Sequence, residues 1–281
     1  MGYSALYLPD HFNEQMAPIA GLMAAADATT SLRIGFLVLD NDYRHPVVVA
    51  KEAATLDLLS DGRFDLGLGA GWQKSDYDQS GIQFDSPGTR IERLGEAVKI
   101  IKGIFTATPF SFAGKHYTVR DVQGYPLPVQ KPHPPFVLGG GGRRMLSLAA
   151  READIVHVNY NLREGERNAE VVRTGRASAT DEKMGWIKQA AGDRFDEIEI
   201  AATIFFTSVS DDRLGVASAI AERLQLDPEE IPSMPHFLIG TIDQLAEDLI
   251  ARRERYGISN FVFQGEVAED LAPLVERLAG K

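Results

Sequence analysis

The sequence predicts an α/β fold on the plan of a (β/α)8 barrel, and three observations carry that prediction. Short apolar runs rich in β-branched and aromatic residues alternate with helical patterns along the whole chain. Several runs are apolar nearly throughout, as parallel strands buried on both faces require. The length, 281 residues, is long for one domain but ordinary for an α/β barrel.

Seven strands are predicted: Ala5–Leu8, Leu32–Leu39, Phe64–Gly69, Phe136–Gly139, Ile155–Asn159, Ile198–Thr207 and Asn260–Phe263. Pro46 opens a helix that runs to Ser60, with Gly62 just past its end. Thr241-Ile-Asp-Gln244 reads as a capping box, and its helix continues through Arg255 and stops at Gly257. Strand–helix alternation implies right-handed βαβ crossovers and a parallel sheet. The count of seven is one unit short of a barrel. Two segments interrupt the rhythm. Phe110–Val119 alternates around Ala113-Gly114, which predicts a β-hairpin. Tyr125–Pro135 holds five of the 14 prolines, which predicts an extended connector. The chain, 1–281, is expected to form a single domain with an insertion at about 107–135.

Composition narrows the function. With 29 basic and 40 acidic residues the net charge is −11, so no electrostatic footprint for nucleic acid or an anionic membrane exists. Cysteine is absent, which excludes disulfides, thiolate catalysis, iron–sulfur ligation and cysteine zinc sites. The six histidines show no His-x-His or His-x-x-x-His spacing, so no metal site is expected. No run approaches the ~20 apolar residues of a membrane span, and no leader pattern is present at the N-terminus. The reading is a cytoplasmic protein acting on a small molecule.

Three constellations carry chemistry. Asp10 and His11 follow the first strand, where α/β enzymes place ionisable groups, and His11 can give or take a proton near neutrality. Gly67-Leu-Gly-Ala-Gly-Trp72 follows the third strand; its spacing fails the dinucleotide fingerprint, but Gly71 and Trp72 suit the approach of a flat ring. Gly139 to Gly142 end the fourth strand, and Arg143 and Arg144 open the next helix. Cations oppose the dipole there unless an anion is bound, so phosphate is the expected guest.

These segments, in this order, resemble the luciferase-like flavin and deazaflavin oxidoreductase superfamily. The resemblance rests on Tyr-Leu-Pro-Asp-His-Phe at 7–12, Arg44-His-Pro46, the stretch from Gly62 to Trp72, Arg90-Ile-Glu-Arg-Leu94, and Gly139 to Arg144. It implies a TIM-barrel-type, bacterial luciferase-like fold, a homodimer, and coenzyme F-420 (an 8-hydroxy-5-deazaflavin) or FMN at the strand ends. Asp-His-Phe is closer to the deazaflavin branch than the Glu-His-His of FMN luciferases. The resemblance places His11 and Asp10 near the ring, a non-proline cis peptide at Leu37-Val38, and Asp40 at a ring-contacting position. It places the cofactor phosphate on Gly139, Gly140, Gly141 and Gly142, beside Arg143.

The departures bear on substrate. Where the sugar-phosphate dehydrogenase branch carries a proton-donating glutamate, this chain has Trp72; Ser75 and Gln15 replace an asparagine and a tryptophan. This argues against glucose 6-phosphate and leaves Asp76 or His11 as the local acid. Relatives also carry a strand and helix before the position of Gly2-Tyr3, so the unit expected to be absent is the first, with a gap between the Ala5 and Asn260 strands. The expected activity is hydride transfer between F-420 and a small organic substrate. An FMN-dependent monooxygenase and a non-catalytic cofactor-binding barrel are the alternatives.

Overall fold

All seven predicted runs form strands in the computed structural model, which describes residues 1–106 and 108–280. Ala107, the first residue of the expected insertion, lies outside the described residues. The chain divides into two compact units, Ser4–Leu138 with Glu152–Asp154, and Met1–Tyr3 with Gly139–Arg151 and Ile155–Lys281.

The first unit runs β1 (Ala5–Leu8), α1 (Pro18–Asp27), β2 (Arg33–Phe36), β3 (Leu39–Asp40), α2 (Pro46–Leu59), β4 (Phe64–Gly69), α3 (Lys74–Ser80), α4 (Pro87–Thr106), β5 (Phe110–Ala113), β6 (Thr118–Val122) and β7 (Phe136–Gly140). Strands β1, β2, β4 and β7 pair in that order, all parallel, and β3 also pairs with β4. β4 is therefore flanked on both sides, and all six of its residues are buried, which is why its sequence lacks polar alternation. Pro46 supplies the fixed φ of the first turn of α2, and Gly62 accepts the left-handed turn that follows it. Val49, Ala53, Ala54 and Leu56 of α2 and Leu94, Ala97, Val98 and Ile101 of α4 are buried.

One predicted strand is broken here. The Leu32–Leu39 run divides into β2 and β3 at Leu37-Val38, which is joined by a cis peptide bond. The Leu37 N–H donates to the Leu8 carbonyl, and the pairing with β4 is interrupted between Gly35, opposite Asp65, and Leu39, opposite Leu68. The hairpin forms as β5 against β6, antiparallel. The proline connector contains no helix or strand because proline supplies no N–H to either.

In the second unit β7 ends, followed by α5 (Arg143–Glu152), β8 (Ile155–Val158), α6 (Ala169–Arg173), α7 (Ala177–Ala191), β9 (Glu199–Ile204), β10 (Phe206–Val209), α8 (Arg213–Leu224), β11 (Phe237–Gly240), α9 (Ile242–Tyr256), β12 (Ile258–Phe263) and α10 (Ala272–Leu278). β8, β9 and β12 pair in parallel. The Ile198–Thr207 run also divides: β9 joins that sheet, while β10 pairs with β11 in a sheet of two. The switch occurs at Phe205, whose N–H, like that of Phe206, turns to the His236 carbonyl. β11 was not among the predicted strands, although Phe237-Leu-Ile-Gly stands directly before the capping box. That capping box forms, with Thr241 accepting from the Gln244 N–H and Gln244 reaching back to the Thr241 N–H.

Candidate active site

The loops past the strand ends of the first unit gather six of the predicted residues: Asp10, His11, Asp40, Gly71, Trp72 and Asp76. Past β1, His11 Nδ1 lies 2.7 Å from Asp76 Oδ2. Asp76 is buried on α3 and also accepts from Gln73 Nε2 at 2.6 Å and from Tyr43 Oη at 3.4 Å. A carboxylate only accepts, so Nδ1 carries the hydrogen and Nε2 is the free position of the ring. The Trp72 ring stands edge-on to His11 at 5.5 Å between centroids. Phe12, about half exposed, stacks on Tyr43 at 4.8 Å. His11 keeps 22% of its side chain accessible, so a proton donor with aromatic neighbours faces out of a buried carboxylate cluster.

That cluster is specific. Both Asp10 oxygens accept the Asp40 N–H, at 3.0 and 3.1 Å, and Oδ2 pairs with Arg44 at 3.1 Å. Asp40 accepts from the Asp42 N–H and lies 2.8 Å from Tyr77 Oη. Asp42 is held by Arg93 through two contacts, at 2.8 and 3.0 Å. Burial raises Asp10 to about 6 against the opposing Asp40 N–H and Arg44. Burial raises Asp40 further, to about 7, with the Asp42 and Asp10 charges adding to it. Gly71 sits over this contact with φ +72: a Cβ there would lie 1.8 Å from Tyr77 Oη. Gly71 is thus required by packing against the cluster, whatever ring approaches it. Leu37 and Val38 lie at the break between β2 and β3, and Val38 Cγ2 would lie 2.7 Å from a Cβ at Gly69.

The glycine turn belongs to the second unit. A Cβ at Gly141 would lie 2.1 Å from the Tyr160 carbonyl oxygen, and one at Gly139 would lie 2.9 Å from the His157 carbonyl oxygen and Cβ. Two of the four glycines therefore have a packing cause in the backbone that follows β8. At Gly142 the nearest atom, Asn161 Oδ1, is 3.5 Å away, an ordinary contact. Arg143 opens α5 and reaches Gln189 at 3.3 Å. Lys183 Nζ donates to the Asn159 and Thr174 carbonyls at 2.7 Å each and so secures the segment against which Gly141 packs. Beneath it, His157 Nε2 meets Thr203 Oγ1 at 2.9 Å, and His236 Nδ1 donates to the Thr203 carbonyl at 2.8 Å.

The profile of the family described as luciferase-like monooxygenase matches residues 1–225. The chain belongs to that family. Luciferase-like relatives use two cofactors. The chain is 31% identical over 163 residues to an FMNH(2)-dependent dimethylsulfone monooxygenase of Pseudomonas putida, covering 58% of this chain and 44% of that protein. It is 33% identical over 149 residues to an F420-dependent glucose-6-phosphate dehydrogenase of Amycolatopsis mediterranei, covering 50% and 44%. These matches span under half of the relatives' length. Solved structures share the fold: the F420-dependent tetrahydromethanopterin reductase of Methanopyrus kandleri has a TM-score of 0.75 at 22% identity, covering 98% of this chain and 88% of that one. An F420-dependent secondary alcohol dehydrogenase bound to an F420-acetone adduct has a TM-score of 0.76 at 18% identity, covering 98% and 91%. These relatives and neighbours are F420- or FMNH(2)-dependent oxidoreductases and monooxygenases by description. No helix among the described residues is long and apolar enough to cross a membrane.

Each unit by itself carries groups that suit part of a flavin or deazaflavin: a phosphate at the glycine turn of the second, a flat ring beside Trp72 in the first. The open position at Gly142 precedes a helix whose first-turn N–H groups lack intrahelical acceptors, and Trp72 and His11 present ring edges. Sequence reasoning offered Asp42 only as a loop residue that could take part with Asp40, and it missed Tyr77, Arg93 and Lys183. A lysine inside the amphipathic pattern of α7 gave no signal of its buried role, and Tyr77 reads as one more core aromatic.

Proposed function

We propose that this enzyme transfers a hydride between coenzyme F-420 and a small organic substrate, with His11 handling the accompanying proton. The observation that supports this is the His11–Asp76 pair at the end of β1. Asp76 holds the Nδ1–H tautomer, which leaves Nε2 to give or take a proton at the substrate. Asp76 itself is buried among donors and is the orienting group, so the acid role falls to His11. Asp10, clamped to the Asp40 N–H and Arg44, sets the position of His11. When bound, the cofactor supplies the hydride chemistry. Leu37, Val38, Asp40, Gly71 and Trp72 would line its ring, and Gly139, Gly140, Gly141, Gly142 and Arg143 would hold its phosphate. Trp72 and Phe12 would keep water from the reacting face.

A second reading, an FMN-dependent monooxygenase, is favoured by the identity to the dimethylsulfone enzyme. Fluorescence titration of the full chain with F-420 and with FMN separates the two. F-420 binding followed by its reduction with a screened alcohol or aldehyde donor supports the proposal. Tight FMN binding without F-420 binding overturns it, and binding of either without turnover points to a non-catalytic barrel. The same reading includes a cytoplasmic homodimer, which light scattering of the purified protein checks.

A further inference from the structure

We infer that Asp40 carries a proton of its own, held through Tyr77 and Asp42 on Arg93, and that it acts as a positioning residue for the Asp10–His11 end of β1. Tyr77 Oη lies 2.8 Å from Asp40 Oδ2 and 3.0 Å from Asp42 Oδ2. A phenol owns one hydrogen. Were both carboxylates ionised, one of the two contacts would oppose lone pair to lone pair inside a buried cluster, so a second hydrogen is required.

Its place follows from the charges. Asp42 is held by Arg93 in a two-pronged ion pair, and Arg93 also reaches Asp85 at 3.0 Å, so the Arg93 charge is set against Asp42 and not against Asp40. Asp40 pairs with no cation among the described residues and accepts one backbone N–H, from Asp42. The proton therefore sits on Asp40 Oδ2 and is donated to Tyr77 Oη, whose own hydrogen goes to Asp42 Oδ2. Passing it on would break the Asp40 O–H bond and form one at Tyr77 while the phenol's hydrogen moves to Asp42. The phenol stays neutral, and the only net change is a proton moved from Asp40 to Asp42, against the pull of Arg93.

The surroundings agree. The groups facing Asp40 are Asp10 from the end of β1, Asp42 and Tyr43 from its own loop, and Tyr77 from α3. Of the nearby cations, Arg44 pairs with Asp10, Arg93 pairs with Asp42, and Arg90 lies over the Tyr77 and Phe84 rings, at 5.9 and 3.9 Å from their centroids. Desolvation and the two like charges all disfavour an ionised Asp40. Gly71 packs over the Asp40–Tyr77 contact, and both residues are buried. The consequence falls on Asp10, whose two oxygens share the Asp40 N–H. With Asp40 neutral, the Asp10 charge is matched by Arg44 alone, and the residue before His11 is not pushed away by a second carboxylate. Only this consequence at His11 rests on the proposed function; the protonation is testable without any cofactor.

The experiment is pH-difference infrared spectroscopy of the full chain without cofactor, comparing the unsubstituted protein with D40N, D10N and D42N. The expected result is a carboxylic-acid C=O band still present at about pH 7, where Asp10 at about 6 is largely ionised, that bleaches as pH rises further and is missing from D40N. In D42N the band should titrate at least about one pH unit lower, a tenfold loss of proton affinity, because a like charge is gone and Tyr77 is free to donate to Asp40. Absence of the band from the unsubstituted protein overturns the inference. So does a band that survives in D40N and disappears in D10N. D40N and D10N are near-isosteric, so these two spectra decide even where D42N fails to fold.

Discussion

The carboxylates around Tyr77 in the first unit and the bases around His236 in the second are buried to a similar degree, yet burial serves them differently. It lifts Asp10 to about 6 and Asp40 to about 7, and it drives His157 down to about 4 and His236 to about 3. Each time the low-dielectric interior favours the neutral form. The histidines are thereby kept neutral across the physiological range and serve as fixed hydrogen-bond partners of Thr203. The aspartates are brought to titrate where a cell operates, beside a partly exposed histidine. The proton chemistry proposed above thus draws on the first unit, and in the second the buried bases lie with the backbone that packs against the glycine turn.

The sharpest way to break this contrast is Asp76→Asn. The amide can no longer hold the Nδ1–H tautomer of His11 as a charged acceptor, so kcat/KM for hydride transfer should fall by about 10³-fold. The 15N shifts of His11 should report a mixed tautomer; unchanged shifts and rates would remove Asp76 from the site. In the second unit, Lys183→Met strips the donor from two buried carbonyls. Urea denaturation should show a loss of about 2–4 kcal/mol, although burial brings the lysine down to about 8 and so nearer to neutrality.

A glycine pair sharpens the comparison further. Gly141→Ala drives a Cβ into the Tyr160 carbonyl and should cost about 1–3 kcal/mol of stability. Gly142→Ala meets only an ordinary contact, so stability should hold within about 0.5 kcal/mol while cofactor affinity falls if the phosphate rests there. Equal stability losses at both positions would undo the distinction between a packing glycine and a binding glycine.

The smallest expected effect is the pH dependence. Asp10 and Asp40 bind protons more tightly folded than unfolded, where an aspartate carboxyl keeps its ordinary value of 3.8. Their contribution to stability is therefore fully present below about pH 4 and is lost as pH rises through about 7. Asp40→Asn removes the larger part of that loss. Its stability relative to the unsubstituted protein should improve by about 1 kcal/mol or more between about pH 5 and pH 8, read from parallel denaturation curves. A difference that stays flat with pH would return Asp40 to an ordinary ionised carboxylate.

Local patterns carried much of the fold. Strand runs, the capping box at Thr241 and the proline-bound start of α2 are written in neighbouring residues, and the structure reproduces them. The two strands that divided did so for non-local reasons: the Leu37 N–H turns to the Leu8 carbonyl between the two stretches that pair with β4, and Phe205 turns towards the His236 carbonyl. β11 escaped notice because a four-residue apolar run carries too little periodicity to separate from a helix start. Four consecutive glycines read as a phosphate loop, yet two of them answer to backbone passing behind the turn, which no spacing rule contains.

By itself the sequence determined the class of fold, the histidine after the first strand and the exclusion of cysteine chemistry, because periodicity, turn residues and composition are local or global counts. Tertiary structure alone decided which acid meets His11 across 65 positions of chain, that one phenol lies between Asp40 and Asp42, and that Lys183 secures the segment after β8. Those relations depend on which polar groups are brought together out of water, and desolvation is a property of the folded chain that no stretch of residues carries on its own.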